Sequence, residues 1–165
     1  MEEQMNIFHT NTNPYVAASH LCDKHVNKML TETVQMLCMA HDRHDTWHEG
    51  LMFTNARHFN HPMTKWVAET QGNYIWTLEH AYALRNEYWV RYGFKTHKSA
   101  EYLKILPKCP APLGSFRSPP LCMPKEYHDL DYTVAYRNYY IHEKKTKDWC
   151  RWEKGVSMPD WISNA

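Results

Sequence analysis

The sequence predicts an all-α, single compact helical domain with a long central helix and a proline-rich surface wrap, and three observations carry that expectation. Apolar residues recur at spacings of three and four through two long stretches, the pattern of one buried helix face. Asn13-Pro14 and Asn60-His61-Pro62 each place a capping side chain before a proline, the signature of a helix start. Six of the nine prolines fall between Pro107 and Pro124, too dense for regular structure, so irregular chain is concentrated in one segment.

Taken in order, residues 1–4 read as a charged extension before a second possible start at Met5, followed by a short extended lead-in, Met5 to Thr10. A helix opens at Pro14 and is expected to break near Cys22-Asp23, where Asp23 is a good cap and a poor interior residue. It resumes to about Ala40. His41 to Arg57 is a polar connector dense in His and Asp. The longest helix is expected from Pro62 to Tyr92, through Met63, Trp66, Val67, Tyr74, Leu78, Ala81 and Trp89, with Gly93 as its stop. Gly72 marks a kink or the close approach of another helix.

Ser99 is read as the cap of a short helix to about Leu106, which Pro107 ends. The proline segment then has Leu113, Phe116, Leu121 and Met123 as apolar anchors. Asp131 caps a helix from Tyr132 to about Lys144, and Trp149, Trp152 and Trp161 give the tail enough apolar area to dock. No linker, repeat or low-complexity tract divides the 165 residues.

Composition excludes several classes. Five glycines and no GxGxxG or Walker pattern argue against a Gly-rich phosphate loop. No apolar run approaches the roughly 20 residues of a membrane span, and no secretory leader pattern opens the chain. Five cysteines without a CxxC pair fit reduced thiols in a cytoplasmic protein. The net charge of +1 hides an asymmetry: residues 1–84 carry five Lys/Arg against nine Asp/Glu, and residues 85–165 fourteen against nine. A basic half with interleaved aromatics is a weak nucleic-acid signal.

The most informative stretch is Leu21 to Gln35. On a helix, His25, Lys28, Glu32 and Gln35 share an arc of about 80°, opposite Val26, Met29, Leu30, Thr33, Val34 and Leu37. An imidazole, an ammonium, a carboxylate and an amide on one stripe suit acid–base or electrostatic catalysis. The competing reading is a solvated face with a Lys28–Glu32 pair worth about 0.3–0.5 kcal/mol. Asn60 and His61, at a helix start, are candidates for phosphate contact or simple caps. Arg137, Asn138, Tyr139 and Tyr140, with His142, suit phosphate contact and base stacking, or packing with a surface charge. His41, His44 and His48 are spaced for one helix face, but no closed ligand set accompanies them, and no metal site is assigned.

LCDKHVNKMLTETVQM resembles the catalytic-helix region of the endonuclease V-type pyrimidine-dimer DNA glycosylases of phages and bacteria, in which one helix near the N-terminus carries an acidic residue and a histidine. NHPMTKW (Asn60 to Trp66) is similar to that family's second landmark. Tyr136-Arg137-Asn138-Tyr139-Tyr140 is similar to its C-terminal DNA-contacting cluster. The three landmarks keep their order over about two thirds of the chain. The resemblance implies a cofactor-free DNA glycosylase acting as a monomer on double-stranded DNA that carries a damaged or modified base. It implies Glu32 as the catalytic carboxylate, with Asp23, His25 and Lys28 assisting, and Gln35, Asn60, His61, Arg137, Asn138, Tyr139 and Tyr140 on the DNA.

One departure bears on mechanism. The family uses an N-terminal α-amine on a small residue, whereas this chain opens Met1-Glu2, or Met5-Asn6 without the extension. A monofunctional enzyme, with Glu32 activating water, is therefore expected, and a bulky hypermodified pyrimidine is as reasonable a substrate as a pyrimidine dimer. The rival readings are a non-catalytic protein of phage–host conflict that binds nucleic acid or a nucleotide, and a metal-dependent nuclease.

Overall fold

The computed structural model describes residues 5–165, so the expected extension, 1–4, lies outside the described residues. Seven α-helices and three tighter or wider helical turns are present, with no β-strand among the described residues. The fold is all-α. No helix among the described residues is long and apolar enough to cross a membrane.

Helix α1 (Pro14–His20) starts where predicted: the Asn13 carboxamide oxygen accepts from the Tyr15 and Val16 amides, with proline at the first helical position. The break before α2 (Asp23–Arg43) is also present, but Cys22 occupies the cap position and Asp23 is the first helical residue. The Asp23 carboxylate is instead turned to Arg91 and to the Glu153 amide. Helix α2 packs against α4, α5 and the 3₁₀ turn at Lys98–Ile105, and even Met36 and Cys38 are fully buried. Its far side is therefore covered as well.

The helix expected to run unbroken from Pro62 is two helices, α4 (Pro62–Val67) and α5 (Gln71–Arg91). Thr70 causes the restart: its hydroxyl oxygen accepts from the Asn73 amide while the hydroxyl donates to the Ser115 carbonyl. Asn60 is not the cap of α4. It closes the one-turn helix α3 (Ala56–Phe59), and His61 caps α4 through Nδ1, which accepts from the Met63 amide. Ser99 is likewise displaced as a cap by His97, and the segment Lys98–Ile105 winds as a 3₁₀ helix. The apolar register read through Trp89 leaves the core, since Trp89 is 46% exposed.

Gly72 marks a close approach. A Cβ there would lie 2.2 Å from the Phe116 backbone nitrogen, and the Gly72 amide donates to the Gly114 carbonyl at 2.9 Å. The proline-rich segment thus straps the start of α5, anchored where Trp66 Nε1 donates to the Arg117 carbonyl. Asp131 caps α6 (Tyr132–Tyr139) as predicted, and the helix then widens into a π turn, Tyr140–Lys144. The tail docks: Trp152 Nε1 donates to the His20 carbonyl, Trp149 packs on His25, and α7 (Asp160–Ser163) brings Trp161 against His20.

Candidate functional site

Glu32 lies mid-way along α2. Its Oε2 is buried and has no hydrogen-bond partner. Burial pushes the carboxyl up to about 7, against the opposing pull of the Lys28 and Lys144 ammonium charges. The same burial lowers the Lys28 amine, which Glu32 raises and Lys144 lowers further. A carboxyl that titrates near neutrality accepts and returns protons readily at physiological pH, and two ammonium groups beside it suit an anionic ligand.

Lys144 is carried by the π turn, and its Nζ sits 4.9 Å from the Tyr139 ring centre and 5.9 Å from that of Phe8. Tyr139 also lines an open groove of 580 Å³ with His61, Pro62, Leu121, Cys122 and Met123. Lys144 thus acts on Glu32 through its charge and packs on Tyr139, whose ring lines the groove, while Glu32 itself is not part of the groove lining. Of the predicted residues, Glu32 and Lys28 feel the Lys144 charge, whereas Tyr139 and His61 line the groove. Gln35 is half-buried one turn beyond Glu32 on the same helix.

The others lie elsewhere. His25 is 1% exposed beneath Phe8, its ring stacked at 4.9 Å, and Nδ1 shares a hydrogen bond with the Tyr140 hydroxyl at 2.9 Å. That hydroxyl also accepts from the Cys22 amide at 3.0 Å. The hydrogen bond between the Cys22 and Cys150 thiols, with His25 and Tyr140 alongside, favours the thiolate at Cys22 and the thiol at Cys150. His25 and Tyr140 thus meet each other in an interior network, not at an open face. Asp23 is 6% exposed and engaged by Arg91. Arg137 donates from Nε to the Thr10 carbonyl and lies over Trp161, which ties α6 to the lead-in and the tail. Asn138 lines a separate open pocket with Glu126, Tyr127 and His142. Asn60 is exposed and donates only a long 3.5 Å bond to the Ala56 carbonyl.

The connector histidines are bound to protein groups. His41 joins Tyr74 and Thr46, His44 reaches the Ala68 carbonyl, and His48 the Ile105 carbonyl. No group of three metal-ligating side chains comes together among the described residues.

Neither a protein-family model, a curated protein nor a solved structure matches the chain. The site stands on its own chemistry.

Sequence reasoning missed Lys144 and Phe8. Neither sits in a periodic pattern: Lys144 belongs to a π turn that shifts the helical phase, and Phe8 to extended chain. The one available signal was the KKTK run at 144–147, in which Lys144 is indistinguishable from its neighbours.

Proposed function

We propose that the protein is a DNA N-glycosylase that removes a damaged or bulky modified base, with Glu32 as its catalytic carboxyl. The observation that carries the reading is the buried, unpartnered Oε2 of Glu32 beside Lys28 and Lys144. An unpartnered buried carboxylate oxygen is costly, and such groups concentrate where a reacting partner completes them. The groove beside Tyr139 has the volume for an extruded nucleotide, and Tyr139 offers a ring on which a base stacks. The order of the three sequence landmarks supports the same reading.

In the proposed reaction Glu32 takes a proton from water as the water oxygen attacks the sugar C1′. The C1′–N bond breaks, its electron pair leaves with the base, and Lys28 or Lys144 supplies the proton that neutralises it. The negative Glu32 also stabilises the oxocarbenium-like charge that develops on the sugar. Asp23 and His25 act through structure, the first by fixing the start of α2 on Arg91 and the second by seating Phe8 over the Tyr140 hydroxyl.

The test is incubation with DNA carrying pyrimidine dimers or hypermodified pyrimidines in chelator, followed by alkali cleavage at abasic sites. Glu32→Gln is expected to abolish base release while retaining DNA binding. Absence of abasic sites across the panel, or full activity in Glu32→Gln, overturns the proposal. Activity lost in chelator and restored by one divalent cation favours a nuclease instead.

A further inference from the structure

The C-terminal end of α5 presents a second feature that the Glu32 site does not use. Gly93 has φ of +70° and closes the helix, and the Phe94 amide donates back to the Trp89 carbonyl at 2.8 Å. This is the six-to-one bond of a Schellman cap, for which one left-handed residue, the glycine, is sufficient. Phe94 nevertheless adopts φ of +60° itself, an unusual conformation for a bulky side chain. The result is an aromatic pair, with ring centres 5.8 Å apart, that does not bury itself: Trp89 is 46% and Phe94 67% exposed. A cap contact that served only to staple the helix would gain more by covering those rings.

Beside the pair lies an open groove of 340 Å³, lined by Arg85, Trp89, Lys95, Ala100, Glu101 and Lys104. Three cations face one carboxylate, and that carboxylate, Glu101, is already bound to Lys104 at 2.9 Å. Lys95 is exposed and has no partner among the described residues. Arg85 holds its guanidinium 4.8 Å from the Tyr82 ring, which aligns a planar donor along the groove wall. The balance is positive, and one aromatic ring, Trp89, lines the groove.

We infer that the Trp89–Phe94 pair and the Arg85–Lys95 rim form a docking surface for single-stranded nucleic acid, one base stacking on Trp89 with its phosphates on Lys95 and Arg85. Stacking on exposed aromatics beside a cationic groove is how sequence-tolerant single-strand binders work. An apolar protein partner fits less well, because the Arg85 and Lys95 charges would meet it at the groove edge. The inference is independent of Glu32. The two sites share no residue: the groove is lined from α5 and the segment that follows it, whereas Glu32 interacts with Lys28 and Lys144.

The experiment is fluorescence anisotropy of a labelled oligothymidylate of roughly a dozen nucleotides, titrated with the full chain at several salt concentrations. Trp89→Ala is expected to weaken binding about tenfold. The charge reversals Arg85→Glu and Lys95→Glu are expected to weaken it and to flatten the salt dependence by roughly one phosphate contact each. Lys147→Glu, an equal charge change at an exposed position elsewhere, leaves binding within about twofold. Phe94→Gly is the decisive variant. It relieves the left-handed strain, so its melting temperature holds or rises while binding weakens several-fold. The inference is overturned if the oligonucleotide does not bind, if Trp89→Ala and Lys95→Glu bind like the parent, if Phe94→Gly binds like the parent, or if Lys147→Glu weakens binding as much as Lys95→Glu.

Discussion

Asp23 Oδ1 accepts from Arg91 Nη1 at 3.2 Å, joining the first residue of α2 to the last residue of α5 inside the protein. Arg91 is 4% exposed, and its remaining donors reach the Leu21 and Ser19 carbonyls and the Glu87 carboxylate. One guanidinium thereby satisfies two carbonyls at the end of α1 and meets the carboxylate of the first residue of α2. Oδ2 of the same aspartate accepts from the Glu153 amide at 2.7 Å, so the tail is secured at the same point.

Asp23→Ala leaves Arg91 buried with only Glu87 as a counter-charge. Loss of one partner of a buried pair costs about 3–5 kcal/mol, and the surviving Glu87 contact puts this case near the lower figure. Urea denaturation is expected to show that loss. The double variant Asp23→Leu, Arg91→Met is expected to be more stable than Asp23→Ala alone, because no uncompensated charge stays inside.

Glu32 makes stability fall as pH rises. Its folded carboxyl titrates near 7 against 4.5 for an ordinary glutamate, so between those values the folded state holds a proton that the unfolded state has released. Stability is fully present below about pH 4.5 and is lost through pH 7, with an upper size on the order of 3 kcal/mol. Glu32→Gln is expected to be more stable than the parent at pH 8 and equal to it at pH 4. Chemical denaturation across that range measures the difference.

Several buried histidines act in the opposite sense. Burial drops His80 to about 4 and His9 well below its ordinary value, the latter assisted by repulsion from His80. The unfolded chain takes up protons near pH 6.5, so stability is lost as pH falls from there toward 4. His9 stacks on Trp76 at 4.3 Å with neither ring nitrogen hydrogen-bonded. His9→Phe is expected to leave neutral-pH stability unchanged or improved by about 1–2 kcal/mol and to move acid unfolding to lower pH. Circular dichroism during acid titration reads both effects.

Gly72→Ala drives a methyl group into the backbone of Ser115–Phe116, which cannot turn aside as a side-chain tip would. The expected cost is about 3 kcal/mol, seen as a lower melting temperature. Faster proteolysis within the proline segment is expected too, since that segment is held by the bonds from Gly72, Thr70 and Trp66.

Local rules were enough for the helix starts at Asn13-Pro14 and Asp131, the irregular proline segment and the docking of the tryptophan tail. Each depends on chemistry within a few residues or on apolar content alone. They were insufficient at Thr70, whose cap is completed by Ser115, and at Asp23, whose apparent capping role is overridden by Arg91 at a separation of 68 residues. The polar stripe of α2 shows the division most clearly. Helical periodicity placed His25, Lys28 and Glu32 on one face, and they are on one face. Periodicity has no term for what lies above a face. Phe8 covers His25 and turns it into an interior group, while Lys144 arrives from the π turn beside a Glu32 carboxyl that burial has raised toward neutrality. The sequence by itself determined the all-α class, the helix starts at Pro14 and Tyr132 and the residues of the stripe, because these follow from dihedral preference and spacing. Only the tertiary structure decided which of those residues holds a buried carboxyl oxygen without a hydrogen bond, because burial and electrostatic environment are set by segments distant in the chain.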